Sequence, residues 1–309
     1  MFEIIINLIL TSLFLQFQAG QQLVAPVEGL ASRLPEAQLR QLIETAPQKK
    51  PDASLGVEVT AESVLVVDKK TNKILYEKNS GQARSIASLT KLMTALVFLD
   101  HNPGWDEVVT ISGDDYREGG ISYFIAGEQV TVKDLFYGTL VASANEGAAA
   151  LVRVTGMNPE EFVAQMNAKA QAIGLTNTVF ADATGLRDAN QSTALEVALI
   201  LRAALSRPEI AGAISSESYN IDIINKGVSR QIVNTNKILG QQFGLDNVQY
   251  KVEAGKTGYL EAAGYCLASQ VRNGDNKVLV VVLGSKSLQD RFTDTKSLAY
   301  WVFNNYFWQ

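Results

Sequence analysis

One cysteine, Cys266, and one histidine, His101, are all that the chain of 309 residues holds of either type. A single thiol forms no internal disulfide, and one imidazole leaves almost nothing from which to build a zinc site. The same scarcity narrows catalysis. A Ser-His-Asp triad would have to use His101, which stands at the polar end of a helical stretch in "LDHNPG", where a histidine ordinarily complements the helix dipole. A basic stripe is lacking as well. With 27 Lys and Arg against 32 Asp and Glu, the net charge is -5, which argues against a nucleic-acid partner.

The first twenty residues, "MFEIIINLILTSLFLQFQAG", carry an apolar stretch from Ile4 to Phe17 that is short for a spanning helix and suits a signal-peptide core. Glu3 stands where a basic flank is usual, and "FQAG" is a poor small-x-small cleavage site. Residues 1–20 are therefore expected to be a signal peptide or an uncleaved N-terminal anchor that tethers the chain to a membrane. Either places the rest outside the cytoplasm, in a periplasm or at a cell surface, where an enzyme needs no disulfide. Residues 21–54, rich in Pro, Gln, Ala and Lys, read as a linker or prosegment, and 55–309 as the main domain.

Within that domain "SVLVVDKKTNKILYEKN" predicts a hairpin, with strands Ser63 to Val67 and Lys73 to Glu77 around a polar turn. From Ser88 the period becomes helical, with Leu92, Ala95, Leu96 and Leu99 recurring up to Asn102-Pro103-Gly104. Helical patterns follow at Val132 to Val141, Glu146 to Val154, Pro159 to Ile173 and Thr193 to Leu205, the last opened by Thr193 and Glu196 at capping-box spacing. "YKVEAGKTGY", "GYCLASQV" and "KVLVVVLGS" then predict an antiparallel meander, and a last helix runs from about Asp290 to Phe303. This order predicts an α/β (α+β) fold: a five-stranded antiparallel sheet flanked by helices, with an all-helical lobe inserted over roughly 92–215.

Three short motifs could carry chemistry. In "SIASLTKLM", Ser88 and Lys91 are three apart and share a helix face. Ser88 there is either a cap or a nucleophile, and Lys91 acts as a base only if burial or a nearby cation keeps its amine neutral. In "LVASANEGAAALV", Ser143 and Asn145 flank Ala144 between two helical runs. Asn145 could cap the next helix, or the pair could face a cleft and relay a proton or hold a backbone. In "AGKTGYL", Lys256, Thr257 and Gly258 fall on a strand. A lysine there is often an edge gatekeeper, yet a cation and a hydroxyl beside a strand edge also suit an extended peptide ending in a carboxylate.

Together, Ser-x-x-Lys, Ser-x-Asn and Lys-Thr-Gly in that order resemble the penicillin-binding serine acyltransferases. "ASLTKLMTAL", "GEQVTVKDLFYGTLVASANEGAAAL", "FVAQMNAKAQAIGLTNTVFADATGL" and "AGKTGYLEAAGYCLAS" resemble, more narrowly, the low-molecular-weight D-alanyl-D-alanine carboxypeptidases, from about Val57 to the C-terminus. The resemblance implies a β-lactamase/transpeptidase-like fold, a peptidoglycan stem peptide as substrate, β-lactams as covalent inhibitors and no cofactor. It implies Ser88 as nucleophile, Lys91 as general base, Ser143 as proton relay and Asn145 as a positioning group. Lys256 and Thr257 would take the substrate carboxylate, and the backbone N–H groups of Ser88 and Tyr259 would form the oxyanion hole. Arg291, in "QDRF", matches a family arginine that orients the carboxylate, while a salt bridge on the last helix is the alternative. Lys256 would also press on Lys91 electrostatically.

Some residues depart from the resemblance. Ala144 replaces a glycine more usual in the carboxypeptidases. The end at Gln309 leaves no room for the C-terminal β-rich domain of many of them. That short form, with "VNTNKIL" at Val233 to Leu239, looks more like the members that cut cross-links as D,D-endopeptidases, so exo and endo cleavage both stay open. A class A β-lactamase would need a deacylating glutamate, and no Glu-x-x-Leu-Asn-like segment follows the second motif. A wall-binding module without catalysis is opposed by the three intact motifs.

Overall fold

The computed structural model describes residues 45–52, 54–244 and 249–308. The expected export segment and the first part of the expected linker lie outside the described residues. The last part of that linker stretch is folded. Strand β1 (Gln48–Lys49) pairs antiparallel with residues 306–307, Lys73 Nζ donates to Pro47 O at 2.6 Å, and Trp301 Nε1 donates to Ser54 Oγ. The backbone edge offered near the chain's far end is what recruits it.

The expected hairpin forms as β2 (Ser63–Asp68) and β3 (Ile74–Lys78), turning through Asn72 at φ 63. β4 (Arg84–Ser85) leads into a tight 3-10 turn, Ala87–Thr90, and then α1 (Lys91–Asp100). β5 (Val108–Thr110) pairs with β6 (Gln129–Thr131), which opens α2 (Val132–Val141) through a reciprocal cap between Thr131 and Asp134. α3 (Asn145–Val154) and α4 (Pro159–Ala172) follow, and β7 (Gln191–Ser192) pairs back to β4. Thr193 caps α5 (Ala194–Leu205) by accepting from Glu196 N, but the Glu196 carboxylate turns to the N–H groups of Thr176 and Asn177 instead of completing the box. α6 (Pro208–Ser215) precedes a hairpin of β8 (Ser218–Ile223) and β9 (Val228–Val233).

The lobe is thus helical with small β-ladders, not all-helical. Its β8–β9 hairpin packs on α2, and Tyr219 OH donates to Asp134 at 2.9 Å. The main sheet is completed by β10 (Gln242–Phe243), β11 (Tyr250–Leu260), β12 (Gly264–Asn273) and β13 (Asn276–Ser285). α7 (Asp290–Asn305) and β14 (Tyr306–Phe307) close the described chain.

Sheet order is β10-β11-β12-β13-β2-β3, antiparallel throughout, so there are six strands where five were expected. The extra strand covers only the start of β11: Gln242 faces Lys251, Phe243 faces Tyr250, and the pairing ends with Gly240 and Gln241 at Val252. Beyond Val252 the edge carrying Lys256, Thr257 and Gly258 takes no further strand among the described residues.

Both faces of the sheet are covered, which is why β2 and β13 read as continuous apolar runs. Along β2, Leu65 and Val67 face the lobe's core, whereas Val64 and Val66 face a second core with Phe292, Leu298, Trp301 and Val302 of α7. The aromatic end therefore packs: Trp301 and Tyr306 are buried, and Tyr306 OH donates to Leu75 O. Among the described residues no helix is long and apolar enough to cross a membrane.

Candidate active site

Ser88 lies inside the 3-10 turn and not at the first turn of an α-helix, since α1 begins only at Lys91. Its hydroxyl caps nothing: the turn's N-cap residue is Ile86, and neither the turn nor α1 has a side-chain cap bond. The preceding residue, Ala87, is held at φ 46, a left-handed conformation that costs a residue with a Cβ of order 1–3 kcal/mol. The half-buried Ser88 is thus presented from a constrained backbone.

Lys91 follows one turn later and is fully buried among the apolar side chains of α1. Its Nζ lies 3.1 Å from Ser88 Oγ, 2.7 Å from Asn145 Oδ1 and 2.5 Å from Thr184 O. Burial lowers its pKa to about 7, against the opposing pull of the Asp182 and Glu146 carboxylates. A neutral amine has two N–H bonds and one lone pair. The Asn145 and Thr184 oxygens can only accept, so they take the two N–H bonds and leave the lone pair for the Ser88 hydroxyl. Asn145 is fixed in this sense because its Nδ2 donates to Gly119 O at 2.7 Å. The cap reading of Asn145 is not what folds: α3 starts at it with no side-chain cap bond.

Ser143 sits at φ 62 in the tight link between α2 and α3, and Lys256 Nζ donates to its Oγ at 2.8 Å. Lys256 is also buried, so the edge-gatekeeper reading does not hold. Burial, the Lys91 charge and the Arg291 charge all push its pKa well down. The two buried lysines disfavour each other's charge, and burial is the largest cause of the lowered pKa in both. Thr257 Oγ1 shares a 2.6 Å hydrogen bond with Thr235 Oγ1, and Thr235 N donates to Val141 O. Thr235, in "VNTNKIL", thus links β11 to the end of α2.

Gly258 brings β11 against the Ser88 turn. A Cβ there would meet Ile86 O at 2.9 Å and Ser88 N at 3.1 Å, so only glycine allows this approach. The Tyr259 side chain is 52% exposed and stacks on Tyr265 with 4.3 Å between ring centres. Arg291 is buried, and its Nη1 donates to Gly258 O at 3.1 Å. Among the described residues the alternative salt bridge on the last helix does not form; the guanidinium lies instead over the rings of Tyr265 and Phe292.

Sequence reasoning missed the loop that completes the Lys91 pocket. Asp182 accepts from the N–H groups of Thr184, Gly185 and Arg187, and from Thr184 Oγ1 and Asn190 Nδ2. Gly185 stands at φ +81 so close to the Ser88 turn that a Cβ would lie 2.2 Å from Ala87 O. The loop so fixed delivers Thr184 O to Lys91. "DATG", an aspartate ahead of a threonine and a glycine, is the kind of turn signal that could have flagged it.

A serine hydroxyl beside a buried amine whose pKa is brought to about 7, at the edge of a sheet strand carrying a second buried lysine, is equipped for acyl transfer. Solved structures of the same architecture include a DD-transpeptidase and a penicillin-binding protein. The chain superposes on the Streptomyces K15 DD-transpeptidase with a TM-score of 0.72 at 27% identity, covering 81% of this chain and 100% of that one. It superposes on penicillin-binding protein D2 from Listeria monocytogenes, in its ampicillin-bound form, with a TM-score of 0.68 at 27% identity and the same coverage. The fold is thus that of the penicillin-binding DD-transpeptidases. Residues 45–287 match the peptidase S11 family, described as D-alanyl-D-alanine carboxypeptidase, and the chain belongs to that family.

Among its relatives, a D-alanyl-D-alanine endopeptidase of Pseudomonas aeruginosa is 31% identical over 84% of this chain and 83% of its own length. The D-alanyl-D-alanine carboxypeptidase DacF of Bacillus subtilis is 30% identical over 80% of this chain and 63% of its own. A D-alanyl-D-alanine endopeptidase of Escherichia coli is 31% identical over 79% and 78%.

Proposed function

We propose that the chain is a serine D,D-peptidase of peptidoglycan stem peptides, acting outside the cytoplasm where that substrate lies. The observation that carries this reading is the placement of one buried amine, Lys91 Nζ, between Ser88 Oγ, Asn145 Oδ1 and Thr184 O. Lys91 takes the proton of Ser88 as Oγ attacks the carbonyl of the penultimate D-alanine. Negative charge gathering on that oxygen is received by the backbone N–H groups of Ser88 and Tyr259. Ser143, bonded to Lys256, hands its proton to the departing amine as the peptide bond breaks and is reprotonated with the proton Lys91 took from Ser88, which leaves Lys91 neutral again. Lys256 and Thr257 hold the substrate's terminal carboxylate. Water then adds to the acyl-enzyme ester, Ser88 recovers its proton, and the shortened peptide leaves.

A β-lactam enters by the same attack. Its amine stays attached to the acyl group, so the adduct persists.

A second reading keeps the chemistry and changes the leaving group. Two of the relatives above carry the name endopeptidase, which favours a D,D-endopeptidase that cuts cross-links. Digesting pentapeptide and cross-linked dimer in parallel, with wild type and Ser88→Ala, tests both. Free D-alanine from pentapeptide, abolished in Ser88→Ala, is the result expected of the carboxypeptidase. Monomers released from dimer with pentapeptide untouched would make it an endopeptidase. Neither product, from folded protein, would overturn the reading.

A further inference from the structure

The buried arginine of α7 has a partner on the main chain of β11. Arg291 Nη1 donates to Gly258 O at 3.1 Å, and its guanidinium lies 5.6 Å from the Tyr265 ring on the neighbouring strand β12 and 4.8 Å from the Phe292 ring. No carboxylate of the described residues lies within ion-pair distance of it. The cation is thus held by one backbone carbonyl and two rings, a costly arrangement for a buried charge unless that carbonyl matters.

The Gly258–Tyr259 peptide is trans, so its C=O and N–H point to opposite sides. With the carbonyl taken on the side of β12 and Tyr265, the Tyr259 N–H points to the other side, where β11 has no partner strand at that point among the described residues. On the Gly258 side of the same peptide, the Ser88 N–H is within 3.1 Å of where a Cβ would stand. We propose that Arg291 is a positioning residue for acyl transfer: by holding Gly258 O it sets the plane of the Gly258–Tyr259 peptide and aims the Tyr259 N–H at the oxyanion. A hydrogen bond from a cation to a carbonyl also polarises the amide, which makes its N–H the better donor. The inference rests on the functional reading above, with Ser88 as nucleophile.

The test compares an ester substrate ending in a carboxylate with its thiono analogue, in which sulfur replaces the carbonyl oxygen. An N–H pair aimed at oxygen rewards the oxo substrate far more than the thiono one. Arg291→Leu is expected to slow acylation by the oxo substrate about tenfold or more, within the 10²–10³ known for loss of a whole oxyanion donor. KM should stay near its wild-type value, and the oxo-to-thiono rate ratio should shrink. An unchanged ratio overturns the proposal, whether KM rises, as for a carboxylate-binding arginine, or both rates fall together, as for a general loss of structure.

Should Arg291→Leu fail to fold, Arg291→Met, which keeps the length of the side chain and donates no hydrogen bond, supplies the same ratio. Wild-type protein that never acylates at Ser88 would instead defeat the functional reading, and the two failures are told apart by that control.

Discussion

In the proposed reaction Lys91 concentrates the chemistry of the site in one side chain. Its amine must be neutral to accept the Ser88 proton, and burial has brought its pKa to about 7. Acylation by penicillin, followed as a second-order rate against pH, should therefore rise through about pH 7 as Lys91 loses its proton. Asp182 and Glu146 favour the charged form, so removing a carboxylate lowers the pKa further. Asp182→Asn should move that limb to lower pH, and a limb that moves to higher pH would contradict this origin.

The same shift has a thermodynamic counterpart. Between about pH 7 and the unfolded value near 10.4, the unfolded chain carries a proton on Lys91 that the folded chain does not. Unfolding free energy of wild type, measured relative to Lys91→Met, should accordingly increase with pH across that window. The spacing of Ser88 and Lys91 was legible in the sequence because it is a matter of residue types three apart. Thr184 was not, because it contributes a backbone carbonyl, which every residue possesses.

Among the elements, the Ser88 turn is seated by two glycines, Gly258 of strand β11 and Gly185 of the Asp182 loop. Gly258→Ala would push a methyl group against Ile86 O and Ser88 N, and Gly185→Ala would add one 2.2 Å from Ala87 O at a positive φ. Both contacts are with backbone, which yields little. Gly258→Ala should slow penicillin acylation by about 10²-fold or more, on the scale of losing one oxyanion donor. Gly185→Ala should in addition cost about 1–3 kcal/mol in urea unfolding from its strained backbone alone. Gly81→Ala, with open space around it, is the control expected to leave both unchanged.

Most elements could be read from periodicity: β11, β12, β13 and α7 lie within a few residues of where the pattern put them. The β8–β9 hairpin escaped because β9 alternates only weakly, although β8 turns Tyr219, Ile221 and Ile223 inward between polar residues and Gly227 at φ 61 marks the turn. β10 escaped because two residues have no period at all.

Across the whole molecule, the site is supported from the lobe's far surface. The buried carboxylate of Glu128 is gripped by Arg230 and Lys226 of the β8–β9 hairpin, and Arg230 also donates to Tyr123 O. Tyr123 and Phe124 N–H groups donate to Glu146, and the loop just before them carries the Gly119 carbonyl that orients Asn145. The hydrogen bonds from Arg230 hold Glu128 down at about 2, so its ionic contribution is complete above the unfolded value near 4.3 and is lost as pH falls from about 4 to 2. Glu128→Gln should cost about 1–3 kcal/mol at neutral pH and flatten the loss of stability in that acid window.

The two-core architecture was legible, since the runs of β2 and β13 demand cover on both faces. This lobe network was not, because its ion pairs join residues about a hundred positions apart.

Intact-protein mass spectrometry after incubation with benzylpenicillin, with peptide mapping of the product, bears most directly on the nucleophile. Wild type should gain the mass of one penicillin, mapped to Ser88, and Ser88→Ala should gain nothing. An adduct that forms equally on Ser88→Ala, or none on folded wild type, would contradict Ser88 as the acylated residue.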